Sequence, residues 1–102
     1  MVTKTLPEIT ALEVEAIASL FLADNMPDRF TAGEPRLQSD GETWRVPVLL
    51  AYPRVGPIGE VGQIVVSADS KQILSYTPVE AMKVSGRSLY EQNRSQTRAI
   101  NF

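Results

Sequence analysis

The spacing of hydrophobic positions changes period twice along the chain. From Ile9 to Leu22 apolar residues recur at helical spacing, and Thr10 followed by Glu13 has the spacing of a capping box. On a helix, Ile9, Val14, Ile17, Ala18, Leu20, Phe21 and Leu22 form one broad apolar face, with Glu15 and Ser19 opposite. Pro27 disfavours helical geometry in Met26, so this helix is expected to end near Asp24 or Asn25.

Residues 27–35 read as loop. A short strand then begins at Leu37, Asp40-Gly41 supplies a hairpin turn, and Glu42 to Tyr52 forms the return strand. Pro53 to Gly59 is expected to be a long connection, followed by a strand from Glu60 to Ser67, a turn, and a strand from Gln72 to Tyr76. Helical period returns at Val79 and runs to about Asn93, with Val79, Met82, Leu89 and Tyr90 on the apolar side. Pro78 can open this helix because its missing N–H has no helical partner in any case. Gly86 falls within the same face; at a cost of about 1 kcal/mol in helix propensity it signals a close approach to the sheet or to a neighbouring chain. The expected fold is α+β in the order α-β-β-β-β-α, a four-stranded antiparallel sheet with two helices on one face. Residues 1–94 make a single domain and 95–102 a C-terminal tail.

Counting strand positions with period two puts Trp44, Val46, Val48 and Leu50 on one face, joined by Val61, Val65 and Ile73 beneath the helices. The same count places Leu49, Ile64, Val66, Leu74 and Tyr76 on the second face. Two helices cover only one side of such a sheet, so an apolar second face reads as an interface, either with a second copy in a homodimer or with a partner protein.

Composition narrows the chemistry. The 102 residues contain neither histidine nor cysteine. That removes disulfides, thiolate metal sites, cysteine nucleophiles and the commonest general base. The serines have no histidine to activate them, so no catalytic residue, metal site or cofactor is expected. The net charge of −2 is uneven: residues 1–43 carry three basic and eight acidic side chains, residues 44–102 seven basic and four acidic. No apolar run approaches the roughly 20 residues of a membrane helix, and the opening MVTKTLPEIT lacks the pattern of a secretory signal. The expected compartment is the cytoplasm.

Three segments stand out as candidate contact sites. The stretch Tyr52-Pro53-Arg54-Val55-Gly56-Pro57-Ile58-Gly59-Glu60 combines stiff prolines with permissive glycines, and it could present Arg54 rigidly to a partner. Lys83, Arg87, Arg94 and Arg98 form a basic stripe if the second helix continues that far. The tail ends in Ile100 and Phe102, apolar residues suited to insertion into a groove. A pI near 5.0 and few aromatics argue against nucleic acid as the partner of the stripe.

The stretch WRVPVLLAYPRVGPIGEVGQIVVSADSKQI resembles the sheet of small PepSY-like domains, whose hairpin follows a V-D-A-x-T-G-x-I pattern. Here Ser67 stands where the pattern has Asp and Lys71 where it has Gly, so Lys71 must take the left-handed turn geometry. The whole layout, with W-R-V-P-V, the Y-P-x-x-G-P-x-G-E-V-G stretch and the closing T-P-x-E-x-M-K helix, also resembles short prokaryotic proteins encoded near PIN-type ribonuclease toxins. The second resemblance implies an antitoxin-like role and a protein partner. The first implies a domain that binds a small ligand or acts as an inhibitor. The reading these observations favour is a non-enzymatic protein–protein interaction domain, with the ligand-binding or inhibitory PepSY-like domain as the alternative.

Overall fold

Thr10 sets the start of the first helix, α1 (Ala11–Asn25). Its hydroxyl accepts the Glu13 backbone N–H at 3.2 Å, and the Glu13 carboxylate accepts the Thr10 N–H at 2.9 Å. Two donors that lack helical partners are thereby satisfied. Met26, held extended before Pro27, closes the other end. The structure is a computed structural model that describes residues 10–94. The expected tail, with Arg98, Ile100 and Phe102, lies outside the described residues.

After α1 come β1 (Phe30–Ala32), β2 (Arg36–Leu37), β3 (Thr43–Tyr52), β4 (Gly56–Ser67), β5 (Ile73–Tyr76) and α2 (Val79–Gln92). All strand pairs are antiparallel along the path β1-β3-β4-β5, with β2 also beside β3. The α+β class and the two helices on one antiparallel sheet are as expected. The first strand, expected at Leu37, arrives in two pieces on the same edge of β3: Phe30 faces Leu50 and Leu37 faces Trp44. The β1 piece lies within the stretch expected to be loop. Three residues between Pro27 and Gly33 are too few for alternation to register.

The turns follow their chemistry. At Asp40-Gly41 the carboxylate accepts the backbone N–H of Glu42 at 2.8 Å and of Thr43 at 3.2 Å, and Gly41 has φ +72°. The connection after β3 is shorter than expected, because Gly56 to Gly59 pair with Tyr52 to Leu50 as the start of β4. Pro53, Arg54 and Val55 are left to make the turn, with Arg54 at φ +72°. Lys71, between β4 and β5, takes the left-handed geometry foreseen for it, at φ +66°.

Three register shifts decide which side chains are inside. Ile58 and Val61 in β4 and Leu74 in β5 each stand without a cross-strand partner. In the resulting register Trp44 faces Val66, Val46 faces Ile64 and Val48 faces Gly62. Ile64 and Val66 have no exposed surface. Tyr76 pairs with Ile64, and its ring packs on Phe21 at 4.6 Å between centroids. The second face expected from period two is therefore corrected: Ile64, Val66 and Tyr76 belong to the helix-covered side. Leu74 sits exposed at a bulge, and only Leu49 remains on the uncovered side. Val65, expected inside, pairs there with Arg45 and Ser75. An extra residue in a strand reverses the in-and-out count beyond it, and Val61 and Leu74 both do so.

The core joins Val14, Ala18 and Leu22 of α1 to Val46, Val48 and Leu50, to Val61, Ile64 and Val66, and to Met82 of α2. Each such valine, leucine, isoleucine or methionine side chain, fully buried, stabilises the fold by about 1.5–3 kcal/mol. Leu20, expected in this face, is 68% exposed. It lies with Leu12 and Ala16 on a ridge opposite Val14, Ala18 and Leu22, because α1 is apolar nearly all round. On α2, Gly86 approaches the sheet: a methyl built there would meet Phe30 Cζ at 2.8 Å.

Candidate functional site

An open groove of about 400 Å³ runs between α2 and the β1–β3 edge. Its floor is apolar and aromatic. Phe30 is placed there by its pairing with Leu50, and Gly86 lets α2 come down onto that ring. Tyr52, at the end of β3, and Tyr90, in the last turn of α2, bring their rings to 6.1 Å.

Three cations line this floor from two directions. Arg29 stands just before β1, anchored by its carbonyl, which accepts the Ala51 N–H at 2.8 Å. Its guanidinium lies over the Tyr52 ring, 4.9 Å from the centroid, a cation–π arrangement. Lys83 and Arg87 come from α2, one turn apart and on the same face. Lys83 Nζ is 3.8 Å from the Glu80 carboxylate in an exposed pair. Among the described residues no Asp or Glu lines the groove itself, and Glu80 pairs with Lys83 from outside that lining. Burial pushes the Tyr52 phenol above its usual value; Arg29 opposes that rise and Tyr90 adds to it.

Of the residues singled out in the sequence, the structure brings together Tyr52, Lys83 and Arg87. The remainder of the proline-glycine stretch disperses. Pro53 and Arg54 form the exposed turn, Gly56, Pro57 and Gly59 enter β4, and Gly59 lies beneath Leu89. Glu60 faces the other side of the sheet and pairs with Arg45. Arg94 lies just past the end of α2 and pairs with Glu91 at 3.3 Å. Among the described residues of the basic stripe, Lys83 and Arg87 line the groove and Arg94 does not. Arg29 and Phe30 were not legible as site residues, because nothing in PDRFTAGEP marks them apart from a loop.

The uncovered sheet face is a different surface. Arg45 donates to the Gln63 side chain and to Glu60, and a shallow depression of about 380 Å³ is lined by Gln38, Asp40, Thr43, Arg45, Gln63 and Val65. The broad apolar face on which a sheet-to-sheet dimer was expected is absent there, for the reason given by the bulges. A cleft of about 220 Å³ between α1 and β1 includes Leu22, Met26, Asp28 and Thr31. Trp44 Nε1 is buried and finds no hydrogen-bond partner among the described residues.

Among the described residues no three metal-ligating side chains cluster, and no helix is long and apolar enough to cross a membrane. Comparison with known proteins gives no match to a family model, a curated protein or a solved structure.

Proposed function

We propose that this chain is a non-enzymatic protein–protein interaction domain, antitoxin-like in that it works by occupying a partner. The observation that carries the reading is the convergence of Arg29, Lys83 and Arg87 on an apolar floor that, among the described residues, no carboxylate lines. Cations held around a half-buried apolar surface repel one another, and an acidic partner relieves that repulsion while covering the floor. Aromatic and arginine side chains are also the residues that most often dominate binding energy at interfaces. A chain with neither histidine nor cysteine offers little for acid–base or nucleophilic chemistry at this groove.

The test is capture of partner from cell lysate by the full chain, compared with an Arg29→Glu/Lys83→Glu/Arg87→Glu variant of unchanged circular dichroism. A partner held by the parent and released by the variant is expected. The same proteins captured by both would overturn the assignment of the groove.

One observation favours a second reading, a PepSY-like domain that binds a small ligand: Phe30, Tyr52 and Tyr90 give the groove an aromatic lining. In that case a low-molecular-weight aromatic acid would perturb the Tyr52 and Tyr90 ring resonances in an NMR titration, and no protein would be captured.

A further inference from the structure

The reading of the groove as a partner site leaves open what part of a partner enters it, and the spacing of its cations bears on that question. Lys83 and Arg87 are four residues apart on a helix, which separates them by about 6 Å along the axis. In an extended chain, side chains on the same side recur every second residue, about 6.5 Å apart. The two distances match. An extended segment with carboxylates at alternate positions would therefore set one against Lys83 and the next against Arg87.

The residue between two such carboxylates points the opposite way. With the carboxylates at the rim, that middle side chain faces the floor made by Phe30 and Leu50. The space of about 400 Å³ accepts a single large apolar side chain together with the backbone that carries it. Arg29, across the groove on the Tyr52 ring, supplies a third cation beyond the pair on α2.

We propose that the groove recognises an extended acidic segment of a partner protein with the pattern acid–apolar–acid, the acids on Lys83 and Arg87 and the apolar residue on Phe30 and Leu50. This rests on the reading of the domain as a partner-binding module. Charge complementarity selects the occupant. The acids nearest in sequence are engaged or turned elsewhere: Glu80 pairs with Lys83, and Asp28 lines the separate cleft beside α1. Single-stranded nucleic acid would also offer anions and rings. It is disfavoured because the chain carries a net charge of −2.

The experiment is fluorescence anisotropy on the full chain with a labelled peptide Gly-Ser-Glu-Phe-Glu-Ser-Gly. Three competitors are used: the Gln-Phe-Gln version, a Glu-Glu-Phe version of the same composition, and an oligothymidylate. The first peptide is expected to bind, to weaken as salt is raised, and to lose about tenfold in affinity on Arg87→Gln or Lys83→Gln. Arg54→Gln, on the exposed turn, should leave binding unchanged. Equal binding of the Gln-Phe-Gln or Glu-Glu-Phe peptide overturns the pattern, as does preference for the oligothymidylate. If the peptides show no preference while partner capture still depends on the three cations, the segment pattern falls and the interaction domain stands. If capture is also insensitive to them, both fall.

Discussion

Gly86 and Phe30 share one volume: a methyl group on Gly86 would stand 2.8 Å from Phe30 Cζ and 2.9 Å from Cε1. The ring reaches the helix because β1 pairs Phe30 with Leu50, and the helix can accept the ring only where it has no side chain. Replacing a helical glycine with alanine ordinarily gains about 1 kcal/mol. Here Gly86→Ala is expected to lose that gain and more: overpacking against the ring costs about 1–3 kcal/mol, for a net loss of up to about 2 kcal/mol. Denaturant unfolding measures it. Phe30→Leu in the Gly86→Ala background should recover part of the loss, which a loss unrelated to the contact would not allow.

Tyr52 reports on the same groove through its proton. Its phenol is held above the usual value first by burial, with Arg29 pulling it down and Tyr90 pushing it up. Arg29→Met is therefore expected to raise it further and Tyr90→Phe to lower it. Because the folded value lies above the unfolded one, the associated stability is fully present below about pH 10 and is lost as pH rises from there through the folded value. Tyrosinate absorbance, followed with tyrosines 76 and 90 replaced by phenylalanine in turn to assign the signal, checks the order.

Asp40 gives the opposite pH dependence. Its carboxylate is held below its usual value, chiefly by the Glu42 backbone N–H, with smaller help from the Thr43 N–H and hydroxyl. The stability this brings is present above the unfolded value near pH 4 and is lost as pH falls through the lowered folded value. Asp40→Asn is expected to flatten that part of the acid limb, seen as a smaller change in denaturant midpoint between neutral and acid pH. An unchanged limb would assign the acid loss to other carboxylates.

The capping box at the start of α1 predicts a third kind of loss, independent of pH near neutrality. Thr10→Ala removes the acceptor for the Glu13 N–H and is expected to cost about 1 kcal/mol, while Thr10→Ser costs little. Thermal unfolding of the two variants decides it.

What could be read from the chain and what could not divides along the range of the interactions. The α1 cap, the end of that helix at Pro27 and the Asp40-Gly41 turn are all local, and residues within a few positions dictate them. The faces of β4 and β5 are not local in this way. One unpaired residue, Val61, reverses the assignments of Ile64, Val65 and Val66 after it, Leu74 does the same for Tyr76, and nothing in Glu-Val-Gly-Gln-Ile announces the first bulge. The groove is legible by halves for the same reason. Lys83 and Arg87 are neighbours by helical spacing, whereas Arg29 meets them only because β1 pairs with the far end of β3. Leu20 misleads in another way, since a helix apolar on both sides does not say which side faces the sheet.

Val61 has one more property. In the β3–β4 ladder Val48 faces Gly62 and Leu49 faces Glu60, so Val61 is the residue the pairing skips. Excising it would join two stretches of ladder already in step, and no other side chain would exchange inside for outside. Removing a residue from the regular stretch Gln63–Ser67 would instead turn part of the strand over. Shortening by one residue is thus tolerable at a buried valine and ruinous a few positions on, an inversion of the usual rule that length changes belong in loops.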